Sequence, residues 1–226
     1  MASACDLFTG VPLQSGFEFP QSLTEKYRPK TIAGFVGLDK AKAICLNLIR
    51  RPLESAWLFK GPSGVGKTTL ALALAEEGRF ELHHVPSQDC NLETIERVRR
   101  TCQYVPAEGK RAHCVLVDEA DQMTRAAQIS LLSKLDATNP APNTIWILTC
   151  NATDTLEPRF LSRCHIVEFS SYGIAPQVAA LLKDVWNAET ENPTERPNFT
   201  RIVKDANNNV RAALMALETE IMSQGI

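Results

Sequence analysis

Apolar positions along this chain switch repeatedly between two spacings. "LDKAKAICLNLIRR" carries them at 38, 41, 44, 45 and 48, one face of a helix. "SAWLFK" (55–60) is a short apolar run and predicts a strand, and residues 67–77 return to helix. "FELHHV" (80–85) predicts a strand, "LETIERVRRTCQ" (92–103) a helix and "HCVLVD" (113–118) a buried strand. "TRAAQISLLSKLDA" (124–137) is a helix with Thr124 as its N-cap. "TIWILTC" (144–150) is another apolar strand. A short helix over 155–162 and a last strand, "HIVEF" (165–169), follow.

Strands alternating with helices, each strand apolar on both faces, predict an α/β fold: a parallel sheet covered by helices on both sides. After Ser171 the strand pattern stops. Helices are expected at 174–186, 198–206 and 208–223, with a loop over 191–198. The pattern divides the chain into an aperiodic N-terminal extension (1–22), an α/β domain (23–170) and a small helical domain (171–226).

Composition narrows this picture only a little. The chain has 226 residues, 44% of them hydrophobic, enough for a full core. The net charge of −2 gives no global field toward nucleic acid, so DNA contact must rest on a local patch or on several copies together. Arg97, Arg99 and Arg100 cluster on one helix, and Arg125 and Lys134 lie on the next. These are the candidate phosphate contacts. The seven cysteines are odd in number and include no C-x-x-C pair, which predicts reduced core thiols rather than a zinc module or disulfides. His83 and His84 have no metal ligand at useful spacing and are read as non-metal residues. No run approaches the ~18 apolar residues of a membrane helix, and the N-terminus does not read as a signal peptide.

Chemistry concentrates at the ends of the apolar strands. "GPSGVGKT" (61–68) fits G-x-x-x-x-G-K-[ST], follows a predicted strand and opens a predicted helix. Glycines there let backbone N–H groups form an anion nest at a helix N-terminus. Lys67 is placed to reach β- and γ-phosphates, and Thr68 to bind Mg²⁺. In "CVLVDEAD" (114–121), Asp118 fits a Mg²⁺ partner of Thr68, and Glu119 a base that polarises the attacking water. Asp121 reads as the start of the next helix. Asn151 ends the next apolar strand on the same edge, where its amide suits a γ-phosphate or the attacking water.

In this order the motifs are recognisable. "LTEKYRPKTIAGFVG" (23–37), the phosphate loop, "VLVDEADQMTRAAQISLL", "LTCNATDTLEPRFLSRC" and "NNNVRAALMALE" together resemble the AAA+ ATPase subunits of DNA polymerase clamp loaders. The likeness is to small subunits of the replication factor C type and their phage equivalents. It implies an α/β AAA+ P-loop NTPase with a parallel sheet sandwiched by helices and a small all-helical lid. It makes Gly61, Pro62, Ser63, Gly64, Val65, Gly66, Lys67, Thr68 and Thr69 the Walker A loop, and Asp118 and Glu119 the Walker B acids. Asn151 matches sensor 1, Arg211 the sensor 2 arginine, and Arg163 an arginine finger acting in trans. Tyr27, Arg28, Pro29 and Val36 match the segment that wraps adenine, and Gln128 a position where the family often has glutamine.

The implied activity is ATP hydrolysis with Mg²⁺, with ATP binding coupled to opening a sliding clamp and loading it on primer–template DNA. The implied partners are sibling subunits in a pentameric ring or spiral, the clamp and DNA, with no membrane. The implied location is cytoplasmic, nucleoid-associated or, in a eukaryote, nuclear. Three features depart from the family pattern. No collar domain follows the lid, "HHVPSQDC" (83–90) only loosely follows the family's Asn-Ala-Ser-Asp region, and "NNVR" stands where Gly-x-x-Arg is usual. Two other readings compete. One is an AAA+ ATPase of another DNA transaction, such as repair or branch migration. The other is a nucleotide-gated binding module with little turnover, which intact Lys67, Asp118, Glu119 and Arg163 disfavour. A helix from about 155 to 162 would carry Arg163 about 12 Å from the phosphate edge, which is the reason to aim it at a neighbour.

Overall fold

The computed structural model describes residues 20–135, 142–190 and 196–223. Residues 1–19 of the expected extension, 191–195 of the expected loop, and the Lys134 side chain lie outside the described residues. The elements run α1 (Leu23–Lys26), α2 (Asp39–Arg50), β1 (Ser55–Lys60), α3 (Lys67–Glu77), β2 (Glu81–Pro86), α4 (Leu92–Thr101), β3 (His113–Asp118), α5 (Arg125–Leu135) and β4 (Thr144–Cys150). Then come α6 (Pro158–Leu161), β5 (His165–Glu168), α7 (Ala175–Glu189), α8 (Phe199–Asp205) and α9 (Val210–Ser223).

The five strands form one parallel sheet in the order β2-β3-β4-β1-β5. The expected sandwich is present, with one refinement. β3 and β4 are buried almost throughout, and β1 at half of its positions with the rest half-buried. β2 and β5, the edges, bury little of their length. An edge strand lacks a neighbour on one side, so "HHV" and "HIVE" tolerate polar residues that a central strand would not.

Two apolar clusters cover the sheet. One joins α2 and α3 to residues such as Phe59, Leu116 and Ile147. The other joins α4, α5 and α6 to Leu58, Val115, Val117 and Trp146. Each fully buried Leu or Phe of this kind contributes about 1.5–3 kcal/mol relative to exposure. Cys45, Cys90, Cys102, Cys114 and Cys150 are buried and Cys164 half-buried, all as free thiols. Burial pushes the Cys114 thiol up to about 12, so these thiols pack as small hydrophobes.

After β5 only helices follow among the described residues. They enclose a third cluster around Val178, Leu182, Trp186, Val203 and Leu217. α1 packs here, not on the sheet: Leu23 joins this cluster and its backbone N–H donates to Glu218 Oε1 at 2.9 Å. The helix expected over 155–162 is shorter, because 152–157 form turns and Pro158 starts the helix at its first position.

Candidate active site

The C-terminal edge of the sheet gathers the chemistry. Gly64 and Gly66, in the loop between β1 and α3, hold φ of 78° and 94°, values that L side chains rarely adopt. A Cβ on Gly61 would stand 2.3 Å from the Phe169 carbonyl oxygen, so only glycine lets the loop leave β1 beside the end of β5. The loop runs into the N-terminus of α3, whose dipole favours an anion.

Lys67 Nζ donates to the carbonyl oxygens of Gly61 at 2.6 Å and Pro62 at 2.9 Å, and to Asn151 Oδ1 at 3.0 Å. Burial lowers its pKa, and the Arg211 charge adds to that. Cys150, Asp121 and Asp118 act the other way. A partly desolvated ammonium held against loop carbonyls gains from meeting an anion.

Thr68 Oγ1 donates to Asp118 Oδ1 at 2.7 Å. Thr149 Oγ1 donates to the same oxygen and accepts from the Glu119 N–H at 3.0 Å. Two hard oxygen donors, the Thr68 hydroxyl and the Asp118 carboxylate, thus stand side by side at the loop. That donor set fits Mg²⁺, which takes one or two carboxylates and keeps much of its water. Glu119 is held at φ 52°, uncommon for a non-glycine residue. The conformation turns the chain sharply off β3, and Glu119 lines the cleft with Lys67, Thr68, Asp118 and Asn151.

A second cavity adjoins the first. Tyr27, Arg28, Pro29 and Val36 line it together with Gly64, Val65, Gly66, Thr69, Leu214 and Arg211. Arg28 and Arg211 line both cavities. Tyr27 is also engaged elsewhere: its hydroxyl donates to Glu189 Oε1, and Lys26 pairs with the same carboxylate at 2.8 Å. Burial, then the Glu189 contact, pushes the Tyr27 phenol up to about 12.

Other candidates sit apart. Arg163 is not among the residues lining either cavity. Its Nη1 donates to the Arg159 carbonyl at 2.9 Å. The expected reason for its distance needs correction, since α6 has only four residues. Register supplies the reason instead. His165 pairs with Trp57, four residues before Gly61, and so lies about 13 Å back along the sheet. Of the basic candidates, Arg97 and Arg100 are exposed on α4. Arg99 pairs with Glu96 at 3.1 Å, and Arg125 with Glu157 at 2.7 Å.

Thr149 and Asn209 escaped the sequence reading, and the contacts of Asp121 and Gln128 emerge only in the fold. Thr149 is buried and orients Asp118; its signal was a hydroxyl near the C-terminal end of a strand that is apolar from Ile145 to Leu148. Asp121 does not start a long helix. It sits in a short 3-10 turn, accepts from the Asn151 N–H at 3.3 Å, and partly offsets the lowering of the Lys67 pKa by burial. Asn209 Nδ2 donates to the Ser63 carbonyl at 2.8 Å, closing α9 onto the loop. Gln128 is a buried staple: its amide donates to the Met123 and Thr155 carbonyls and accepts from the Glu157 N–H. The "NNVR" departure has a physical account. Asn207 and Asn208 hold φ of 51° and 58°, and asparagine is the residue that best replaces glycine there.

Comparison with known proteins agrees with this geometry. The family described as "AAA: ATPase family associated with various cellular activities (AAA)" matches residues 57–172, just over half of the chain. The chain is similar to replication factor C small subunit 1 of Pyrobaculum arsenaticum, 34% identical over 154 residues, 65% of this chain and 46% of the relative. It is similar to the replication factor C large subunit of Thermococcus kodakarensis, 30% identical over 87% of this chain and 40% of the relative. It is 29% identical to the replication factor C small subunit of Methanococcus maripaludis over 86% of this chain and 63% of the relative. The chain thus spans less than two thirds of the length of these relatives. Among solved structures, the RuvB Holliday junction branch migration motor of Thermotoga maritima superposes with a TM-score of 0.69 at 20% identity, over 85% of this chain and 64% of that one. That likeness shows the fold alone. No helix among the described residues is long and apolar enough to cross a membrane. With the phosphate loop, the strand-end acids and the parallel sheet in their places, the chain belongs to the AAA family of ATPases.

Proposed function

We propose that this chain binds and hydrolyses ATP as a subunit of a DNA polymerase clamp loader. The observation that supports this most is the meeting of Lys67, Thr68, Asp118 and Asn151 at one sheet edge, in a chain whose similar curated relatives are replication factor C subunits.

In this reading the loop N–H groups and Lys67 hold the β- and γ-phosphates, and the adenine lies between the Tyr27–Val36 segment and α9. Thr68 and Asp118 would hold Mg²⁺, which supplies charge neutralisation on the phosphates when bound. Thr149 fixes the Asp118 carboxylate toward that position. Glu119 accepts a proton from the attacking water, and Asn151 orients that water against the γ-phosphate. Arg211, in the first turn of α9, reports the phosphate to the helical part, which closes as a lid. Arg163 serves the site of a neighbouring subunit. ATP binding is coupled to opening a ring-shaped clamp and placing it on primed DNA, with Arg97 and Arg100 touching phosphates.

The test is an ATPase assay with and without sibling subunits, clamp and primed DNA. Hydrolysis should rise when all are present. Stimulation by four-way junctions, and none by clamp, would point to branch migration instead, the activity named for the similarly folded RuvB motor.

A further inference from the structure

Away from the nucleotide cleft, at the end of β3 opposite Asp118, three side chains from three segments converge. His83 lies in β2, His113 opens β3, and Cys102 directly follows α4. One ligand atom from each lies within 4.8 Å of the other two. His83 Nε2 and His113 Nδ1 are 3.0 Å apart. Two nitrogens on one tetrahedral zinc ion stand roughly 3.3 Å apart, and a sulfur joins them at about 2.3 Å from the ion. Closing onto an ion therefore needs shifts on the order of 1 Å.

The hydrogen bonding prepares the ligands. His113 Nε2 lies 2.9 Å from the Tyr104 carbonyl oxygen, which can only accept. Nε2 must therefore carry the proton, and in the neutral ring Nδ1 presents its lone pair to the cluster. This is the outer contact that fixes the tautomer of metal-bound histidines. Burial first, then His113, lowers the His83 pKa, so its ring is held neutral as a ligand must be. His113 and Cys102 are 1% and 0% exposed, which leaves the site open to solvent only on the His83 side. His83 is half-buried and opens onto a surface groove lined by Asp89, Arg97 and Thr101, an entry path. Without an ion, the pair is a His83 N–H donating to His113 Nδ1, and the Cys102 thiol packs in the core within hydrogen-bond reach of Thr144, its pKa pushed up to about 11 by burial, so an ion must displace that thiol proton.

We propose that His83, Cys102 and His113 form a zinc site distinct from the nucleotide cleft, its fourth position taken by Glu81 or water. Two imidazoles and a thiolate suit a borderline ion such as Zn²⁺ and not Mg²⁺ or Ca²⁺. Glu81 Oε2 is 3.4 Å from His113 Nδ1. On binding, the Cys102 thiol proton leaves to solvent, and the His83 proton moves from Nε2 to Nδ1. The bound ion ties β2 to β3 and to the connection that carries exposed Tyr104 and Val105.

The test uses the full chain after chelator treatment, titrated with Co²⁺ and then Zn²⁺. The expected result is one Co²⁺ per chain with thiolate charge-transfer and tetrahedral visible bands, displaced by Zn²⁺, and a higher melting temperature with Zn²⁺. Cys102→Ser should remove the charge-transfer band and weaken binding by at least about 100-fold. His83→Gln keeps an amide donor for His113 but is a poor ligand, so it should fold and lose the same binding. No stoichiometric Co²⁺ binding overturns the site. Unchanged affinity in His83→Gln overturns it too, even where Cys102→Ser fails to fold.

Discussion

Asn209 uses the two ends of one amide on two different elements. Its Oδ1 accepts from the Ala212 N–H at 3.1 Å and caps α9, while its Nδ2 donates to the Ser63 carbonyl at 2.8 Å. Gly64 makes room for this contact, since a Cβ there would lie 2.3 Å from Asn209 Oδ1. The cap that starts α9 is thus also the clasp between the helical part and the phosphate loop, two residues before Arg211.

Two substitutions separate the roles. Asn209→Ala removes both, and the lost cap alone should cost about 1 kcal/mol of stability. Asn209→Asp keeps the cap but loses the donor and places a carboxylate beside the phosphate loop. Thermal melts should leave Asn209→Asp the more stable variant, while calorimetry should find it the weaker ATP binder. The reverse order of ATP affinities would remove Asn209 from the nucleotide site.

Gln128 offers a stability test away from the phosphates. It is 2% exposed, and its side chain satisfies the Thr155 carbonyl and the Glu157 N–H. Gln128→Leu keeps the volume and leaves these two groups and the Met123 carbonyl without this partner. A buried orphan costs about 1–3 kcal/mol and a solvent-reachable one less, so urea denaturation should show a loss of about 2 kcal/mol. ATP affinity of the folded variant should stay near the parent value, because Gln128 lines neither cavity.

What the sequence revealed follows from distance along the chain. Lys67, Asp118 and Asn151 each end or follow an apolar run, so their shared edge was legible before any coordinates. Thr149 was not, because its value lies in reaching across from β4 to Asp118 on β3. Nor was the fate of Tyr27: the adenine-wrapping segment was recognisable, but its tie to Glu189 joins residues 162 positions apart. Nor was the meeting of His83, Cys102 and His113 legible, for the same reason. Their spacing carries no metal signature, and only β2–β3 pairing and the end of α4 unite them. Glu96, three residues before Arg99 on α4, is visible in the sequence, but the Glu157 carboxylate that pairs with Arg125 appears only in three dimensions.

The Tyr27–Glu189 contact gives a pH prediction. Lys26 first, then Tyr27, hold the Glu189 carboxyl below its ordinary 4.5. Stability from that shift is present above 4.5 and disappears as pH falls through the lower folded value. The phenol shift runs the other way: its contribution is full below 10.0 and lost as pH rises toward about 12. Tyr27→Phe should therefore destabilise most between about pH 5 and 10, by about 1.5 kcal/mol for a hydrogen bond to a charged group. Chemical denaturation across pH checks this, and a difference that is constant from pH 3 to 11 would contradict the ion-linked origin.

Arg163 carries the sharpest consequence for assembly. The register of β5 on β1 sets it back from its own phosphate loop, and neither cavity includes it. If it completes a neighbour's site, Arg163→Ala should leave ATP affinity within about twofold and remove stimulated hydrolysis. An arginine finger is worth about 10³–10⁵ in rate, roughly 4–7 kcal/mol. Lys67→Ala should instead lose ATP binding itself. Mixing tells trans from cis. Glu119→Gln subunits have a disabled site and an intact Arg163, whereas Arg163→Ala subunits have an intact site and no finger. Each is inactive alone. In mixed oligomers, an Arg163→Ala site beside a Glu119→Gln neighbour is complete, so part of the activity should return. No recovery, with mixed assembly confirmed by mass, would place Arg163 outside the catalytic interface.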